Sequence, residues 1–164
     1  MRPPRKTPLD PDKAASPTAA HAAAVEQLAR RDFASGELRD KLEDKGYERE
    51  TVAAVVADLV AEGVVNDERY ASNYVAYHAG RGQGPQRIRQ DLRGLGIDAA
   101  LIEAALESGP DFRVLARQVR VRKFGAEPPQ EWPEKARQAR FLQYRGFSSD
   151  HIRFAIGPDF DPEE

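Results

Sequence analysis

With 164 residues, 40% apolar content, a net charge of only −2 and no cysteine, the chain has room for one ordinary domain or for a row of small repeats that share a core. The missing cysteines exclude disulfides and thiolate metal sites, and no apolar run approaches the roughly 18 residues that a membrane helix needs. The start, MRPPRKTPLDPDK, is basic but leads into no apolar segment of signal-peptide type, so the expectation is a cytoplasmic protein without a membrane partner.

In chain order, residues 1–18 hold five prolines and almost no large apolar side chain, the composition of a disordered tail. From Ala19 onward breakers fall at helix-length intervals. Nine helices are predicted, over 19–31, 35–45, 48–62, 67–81, 85–95, 98–107, 111–124, 133–145 and 148–156. Ser35, Asp67, Asp98, Asp111 and Ser148 stand at helix starts, where a side-chain oxygen can accept from free backbone N–H groups. Gly46, Gly96 and Gly146 stand just past helix ends, where a positive φ comes cheaply only to glycine. Period-2 alternation is absent, and Val64-Val65 is too short for a strand.

Those three glycines are spaced 50 residues apart, and their surroundings match. Leu42, Leu92 and Leu142 precede them by four positions; Tyr47, Ile97 and Phe147 follow directly. Val52, Ile102 and Ile152, then Val55, Ala105 and Ala155, then Val56, Leu106 and Ile156 continue the register. This is an internal repeat. The expected fold is all-α, three tandem three-helix repeats forming an elongated, curved body, because a short helix triplet buries enough surface only by stacking on the next. The expected boundaries are a tail at 1–18, repeats at 19–65, 66–109 and 110–157, and an acidic tail at 158–164.

Catalytic chemistry has little support. His21, His78 and His151 are far apart and form no HExxH, and no serine sits in GxSxG. Glu37, Asp40, Glu43 and Asp44 alternate with Arg39, Lys41 and Lys45 as on a solvated helix face. The expectation is therefore a protein that is not an enzyme and carries no cofactor and no metal. Gly80-Arg81-Gly82-Gln83-Gly84-Pro85 lacks the phosphate-loop spacing and reads as a flexible connector ending in a proline at the first helical position, with a weak anion contact through Arg81 left open.

Charge is polarised along the chain. Residues 32–68 carry 4 basic and 11 acidic side chains, whereas 69–93 carry 5 and 1, 111–145 carry 9 and 4, and 146–164 return to a net of −4. On the predicted helix 111–124, Arg113, Arg117 and Arg120 fall within about 60° of one another, opposite Phe112, Leu115 and Val119. Arg122 and Lys123 extend that row. Lys135, Arg137, Arg140 and Arg145 follow on the next helix, and Arg81, Arg87, Arg89 and Arg93 lie in the second repeat. Guanidinium forks suit phosphate and carboxylate, so these residues are the candidate surface for an anionic partner. Tyr70, Tyr74 and Tyr77 form a stripe suited either to helix packing or to base stacking. Trp132, among Pro128, Pro129 and Pro133, either pins its loop or faces a partner.

The string Gly63-Val64-Val65-Asn66-Asp67-Glu68-Arg69-Tyr70-Ala71, then Tyr74-Val75, Gly84-Pro85-Gln86-Arg87-Ile88-Arg89-Gln90-Asp91-Leu92 and Gly96-Ile97, resembles the RecX family. Leu28-Ala29-Arg30-Arg31-Asp32-Phe33 and Glu37-Leu38, with Lys41-Leu42 and Lys45-Gly46, resemble its first part. The resemblance spans about residues 20–157. It implies tandem three-helix repeats, and a regulator that binds the RecA recombinase filament on DNA and damps its ATP hydrolysis, strand exchange and co-protease activity. Apart from the resemblance, a monomer is the simpler expectation for the oligomeric state. The alternative function is a helical repeat protein that binds nucleic acid on its own.

Overall fold

The computed structural model describes residues 7–161, and among them every regular element is a helix. There are ten: α1 (Pro11–Ala14), α2 (Pro17–Leu28), α3 (Ser35–Asp44), α4 (Arg49–Ala61), α5 (Asp67–Gly80), α6 (Pro85–Gly94), α7 (Ala99–Glu107), α8 (Phe112–Phe124), α9 (Trp132–Tyr144) and α10 (Ser149–Ile156). The nine predicted helices appear as α2 to α10, each shifted by at most a few residues. Three triplets result: α2–α4, α5–α7 and α8–α10.

The repeat has a plain physical content. All three leucines four positions before the corner glycines are fully buried, and the apolar residues after the corners and the stripes on α4, α7 and α10 are buried. The corner glycines take φ of 105°, 77° and 96°. At the first and third corners the residue after the glycine returns its N–H to the leucine carbonyl, Tyr47 to Leu42 at 3.3 Å and Phe147 to Leu142 at 3.1 Å. That is the hydrogen bond that closes a glycine-terminated helix.

Compact packing does not follow the repeat boundaries. One unit comprises the chain up to Tyr70 together with Leu95–Ile97; the other comprises Ala71–Gly94 and the chain from Asp98 onward. In the first unit, Phe33, Leu38, Leu42, Val52, Val56 and Leu59 form the core with the alanines of α2. Gly36, near the start of α3, abuts the corner of the next repeat: a methyl group there would lie 2.9 Å from the Leu95 carbonyl oxygen. In the second unit, α10 packs on α8 and α9, and Gly84, just before α6, abuts the third corner at Gly146. The joint between the start of a middle helix and the following glycine corner thus occurs in both units.

The reading of residues 1–18 as disordered is corrected for its described part. Asp10 caps α1 by accepting from Asp12 N–H at 2.9 Å, and Ser16 caps α2 from Ala19 N–H at 3.2 Å, with Pro11 and Pro17 in the first helical positions. There a proline's missing N–H costs nothing and its fixed φ favours the helix. Leu9 packs over Gly46, and Ala14 accepts from Glu48 N–H at 2.9 Å. Residues 1–6 and 162–164, the outer parts of the expected tails, lie outside the described residues. Phe160, within the expected acidic tail, is buried.

Two expected caps are also corrected. Asp98, Asp111 and Ser148 cap their own helices, but Ser35 and Asp67 do not. Asn66 Oδ1 takes the capping role for α5, accepting from Arg69 N–H at 2.9 Å. The Asp67 carboxylate turns instead to α3, accepting from Ser35 N–H and from Ser35 Oγ, both at 2.7 Å. A residue 32 positions downstream supplies the acceptor that the free N-terminus of α3 needs.

Candidate polyanion interface

All twelve candidate basic residues belong to the second unit, but they do not behave alike. Arg120 is 2% exposed. Its Nη1 donates to the Glu127 carbonyl at 3.2 Å and to Gln138 Oε1 at 3.4 Å, and its Nη2 donates to the Ala126 carbonyl at 3.4 Å. Burial, with a smaller contribution from Arg117, holds its pKa below the ordinary arginine value. The expectation of Arg120 on the partner-facing row is therefore corrected. One turn of helix separates it from Arg117, but the connection after α8 folds back over that turn, and the guanidinium is the post on which residues 125–127 hang. Periodicity on a single helix does not register a covering loop.

Three more candidates have acidic neighbours. Arg89 grips Glu103 of α7 with both arms, Nε at 2.6 Å and Nη2 at 3.2 Å, and this hydrogen bonding raises the Arg89 pKa and lowers that of Glu103. Arg113 lies 3.8 Å from Asp111 and over the Phe154 ring. Arg137 lies 3.4 Å from Glu134 and over the Phe124 ring. Lys135 is half-buried. Arg81, Arg87, Arg93, Arg117, Arg122, Lys123 and Arg140 are exposed, and among the described residues no carboxylate pairs with them at ion-pair distance.

Several of the candidate cations line separate depressions of the second unit. Arg140 borders a depression with Trp132, Gln143 and Asp161. Arg87 shares another with Gln90, Asp91, Gln143 and Tyr144. Arg113 belongs to a third, with His151 and Phe154. In a cleft of about 150 Å³, Arg81, Arg122, Lys123 and Arg145 meet around Val119 and Phe141. Both Lys123 and Arg145 lie over the Phe141 ring, at 5.9 and 5.4 Å, and Arg145 Nη1 donates to the Arg81 carbonyl at 3.3 Å. Gly82, with φ of 82°, brings the chain against Val119 in the lining of this cleft. The connector at 80–85 is accordingly packed rather than loose, with Gly82, Gly84 and Pro85 all buried.

The tyrosine stripe divides. Tyr70 and Tyr74 are half-buried, and Tyr74 Oη is 3.1 Å from Asp91 Oδ2. Tyr77 is 60% exposed and accepts at its Oη from Arg81 Nη1 at 3.1 Å. Trp132 opens α9 and is exposed. Among the described residues no cluster of three or more His, Asp or Glu is placed to hold a metal ion, and no helix is long and apolar enough to cross a membrane.

The models of the RecX first, second and third three-helix domains match residues 20–59, 66–106 and 114–156. The chain is 38% identical over 137 residues to the regulatory protein RecX of Vibrio vulnificus, covering 83% of this chain and 90% of that one. It is 40% identical over 138 residues to the regulatory protein RecX of Pseudomonas syringae pv. tomato, covering 84% and 89%. The crystal structure of RecX from Lactobacillus salivarius has the same fold, with a TM-score of 0.75 at 22% identity over 88% of this chain and 95% of that one. With three family domains in order and close to 40% identity over most of its length, this chain belongs to the RecX family of regulatory proteins.

Proposed function

We propose that this protein regulates recombination by binding the RecA filament on DNA and damping its ATP hydrolysis, strand exchange and co-protease activity. The observation that carries this reading is the set of exposed cations on the second unit with no carboxylate at ion-pair distance among the described residues, Arg87, Arg117 and Arg140 among them, in a chain of a regulatory family. Their positive potential suits a partner with a dense negative surface, which a nucleoprotein filament presents in its phosphates and acidic side chains. Holding such a filament in one conformation opposes the motions that hydrolysis and exchange require, since a ligand shifts an equilibrium by its differential affinity for the two states.

The test is recombinase ATPase on single-stranded DNA, titrated with wild-type protein and with an Arg87→Glu, Arg117→Glu, Arg140→Glu variant. The expected result is inhibition by the wild type and at least a tenfold rightward shift for the variant, roughly 1.4 kcal/mol of lost binding. Equal inhibition by both removes this surface from the account, and no inhibition by the wild type removes the filament.

A further inference from the structure

Four cations converge on the small cleft between the ends of α5, α8 and α9, and no acid answers them. Arg81 follows the last residue of α5, Arg122 and Lys123 lie in the last turn of α8, and Arg145 follows α9. Helix C-termini carry about half a negative charge each. Three such ends still leave more than half of the four positive charges uncompensated, and among the described residues no carboxylate pairs with any of the four side chains. Cations that line one cleft without a carboxylate raise the local positive potential and favour an anion there.

The cleft also limits which anion. Its volume of about 150 Å³ is half the roughly 300 Å³ at the small end of ordinary ligand pockets. A single tetrahedral oxyanion matches that size. Apolar Val119 and Phe141 also line it, which lowers the local dielectric and strengthens a charge-assisted hydrogen bond. Beside it stands Tyr77, 60% exposed, with the Arg81 guanidinium carbon 5.5 Å from its ring centroid and Arg81 Nη1 donating to its hydroxyl at 3.1 Å. An aromatic face fixed next to an oxyanion cleft matches the alternation of phosphate and base along a single strand. An acidic peptide has no group that uses the ring in this way.

We propose that the cleft formed by Arg81, Arg122, Lys123 and Arg145 binds one backbone phosphate of single-stranded nucleic acid, with the adjoining base on Tyr77. The assignment rests on the reading above in placing nucleic acid within reach of this surface, and it names a subsite and a ligand class for it. Arg122, Lys123 and Tyr77 reach solvent from helix surfaces, so replacing them leaves the core intact.

The experiment is fluorescence anisotropy of a fluorescein-labelled oligothymidylate about twelve nucleotides long, titrated with the full chain at several salt concentrations. Variants are Arg122→Ala with Lys123→Ala, Arg81→Ala, and Tyr77→Ala, with Arg39→Ala plus Lys41→Ala on α3 as a charge-matched control. The double variant is expected to weaken binding at least about fivefold and to make the log–log salt slope shallower by about 0.7 to 1, the signature of one lost phosphate contact. Arg81→Ala is expected to change the slope in the same direction. Tyr77→Ala is expected to weaken binding about fivefold without changing the slope, since stacking releases no counterion. The proposal is overturned if the wild type does not bind at low salt, if the control weakens binding as much as the cleft variants, or if an oligo-aspartate peptide binds as tightly as the oligonucleotide. Filament inhibition is read separately: a cleft variant that loses oligonucleotide binding while the wild type fails to inhibit RecA sinks the function and keeps the site.

Discussion

The Gly84 N–H donates to the Arg145 carbonyl at 2.8 Å, and the Gly84 Cα lies so close to Gly146 that a methyl group on it would overlap the Gly146 carbonyl. Backbone meets backbone, and glycine is required for the approach rather than for a turn: Gly84 is not among the residues with positive φ. Gly84→Ala is expected to destabilise the protein by about 3 kcal/mol, at the upper end of overpacking costs. Gly94→Ala, in a helical position with open space around it, is expected to stabilise by about 0.5–1 kcal/mol. Thermal unfolding of the two variants checks the contrast; equal effects would show that the joint is not tightly packed.

Asp67 caps α3 from a distance, so its removal acts on a helix to which it does not belong. Asp67→Ala is expected to cost about 1–3 kcal/mol, because a charged acceptor is lost and a half-buried hydroxyl and N–H go unpaired. Ser35→Ala removes only the hydroxyl bond and is expected to cost less. A double-mutant cycle between them, followed by urea unfolding, is expected to give a coupling energy of about 0.5 kcal/mol or more; additivity would contradict the contact.

Arg120 is expected to behave as a structural residue and not as a contact residue. Arg120→Ala leaves three backbone carbonyls of the connection after α8 without their donor, a loss of about 2–4 kcal/mol. Trp132, the only tryptophan, opens the helix that follows that connection, so its fluorescence is expected to shift while the salt slope of oligonucleotide binding stays unchanged. A shallower slope would return Arg120 to the interface.

His151 introduces a pH dependence. Its Nδ1 accepts from Ser148 N–H at 3.2 Å in the cap of α10, which requires that nitrogen to be unprotonated. Burial lowers its pKa below 6.5; Asp150 and Asp111 oppose the shift, and Arg113 adds to it. The Phe112 and Phe147 rings flank it. The folded state therefore binds this proton less readily than the unfolded chain. Its contribution is lost as pH falls from 6.5 towards the folded-state pKa and is present above 6.5. In His151→Gln, the slope of stability against pH over that window is expected to flatten. An unchanged slope would assign the dependence to other groups.

Much of the fold was legible because the repeat states it three times: each glycine corner carries a leucine before it and an apolar residue after it, and helix periodicity does the rest. The short helix α1 and the capped start of α2 were not legible, since proline content in Asp10-Pro11 and Ser16-Pro17 reads as disorder until the preceding cap residue is weighed with it. The basic content of the second unit was visible in the charge runs, but its grouping was not. Which of Arg117 and Arg120 faces solvent depends on a loop that folds back from beyond the helix. The meeting of Arg81 with Arg122, Lys123 and Arg145 depends on tertiary packing of three helix ends, for which the sequence carries no local signal.

The central claim is that the cations of the second unit bring this protein onto the RecA–DNA filament. Co-sedimentation with RecA assembled on single-stranded DNA tests it most directly, comparing the wild type with the Arg87→Glu, Arg117→Glu, Arg140→Glu variant and with a Glu43→Lys, Asp44→Lys variant of the acidic first unit. The wild type and the α3 variant are expected to pellet with the filament, and the arginine variant to stay in solution. An arginine variant that pellets as fully as the wild type would contradict that claim.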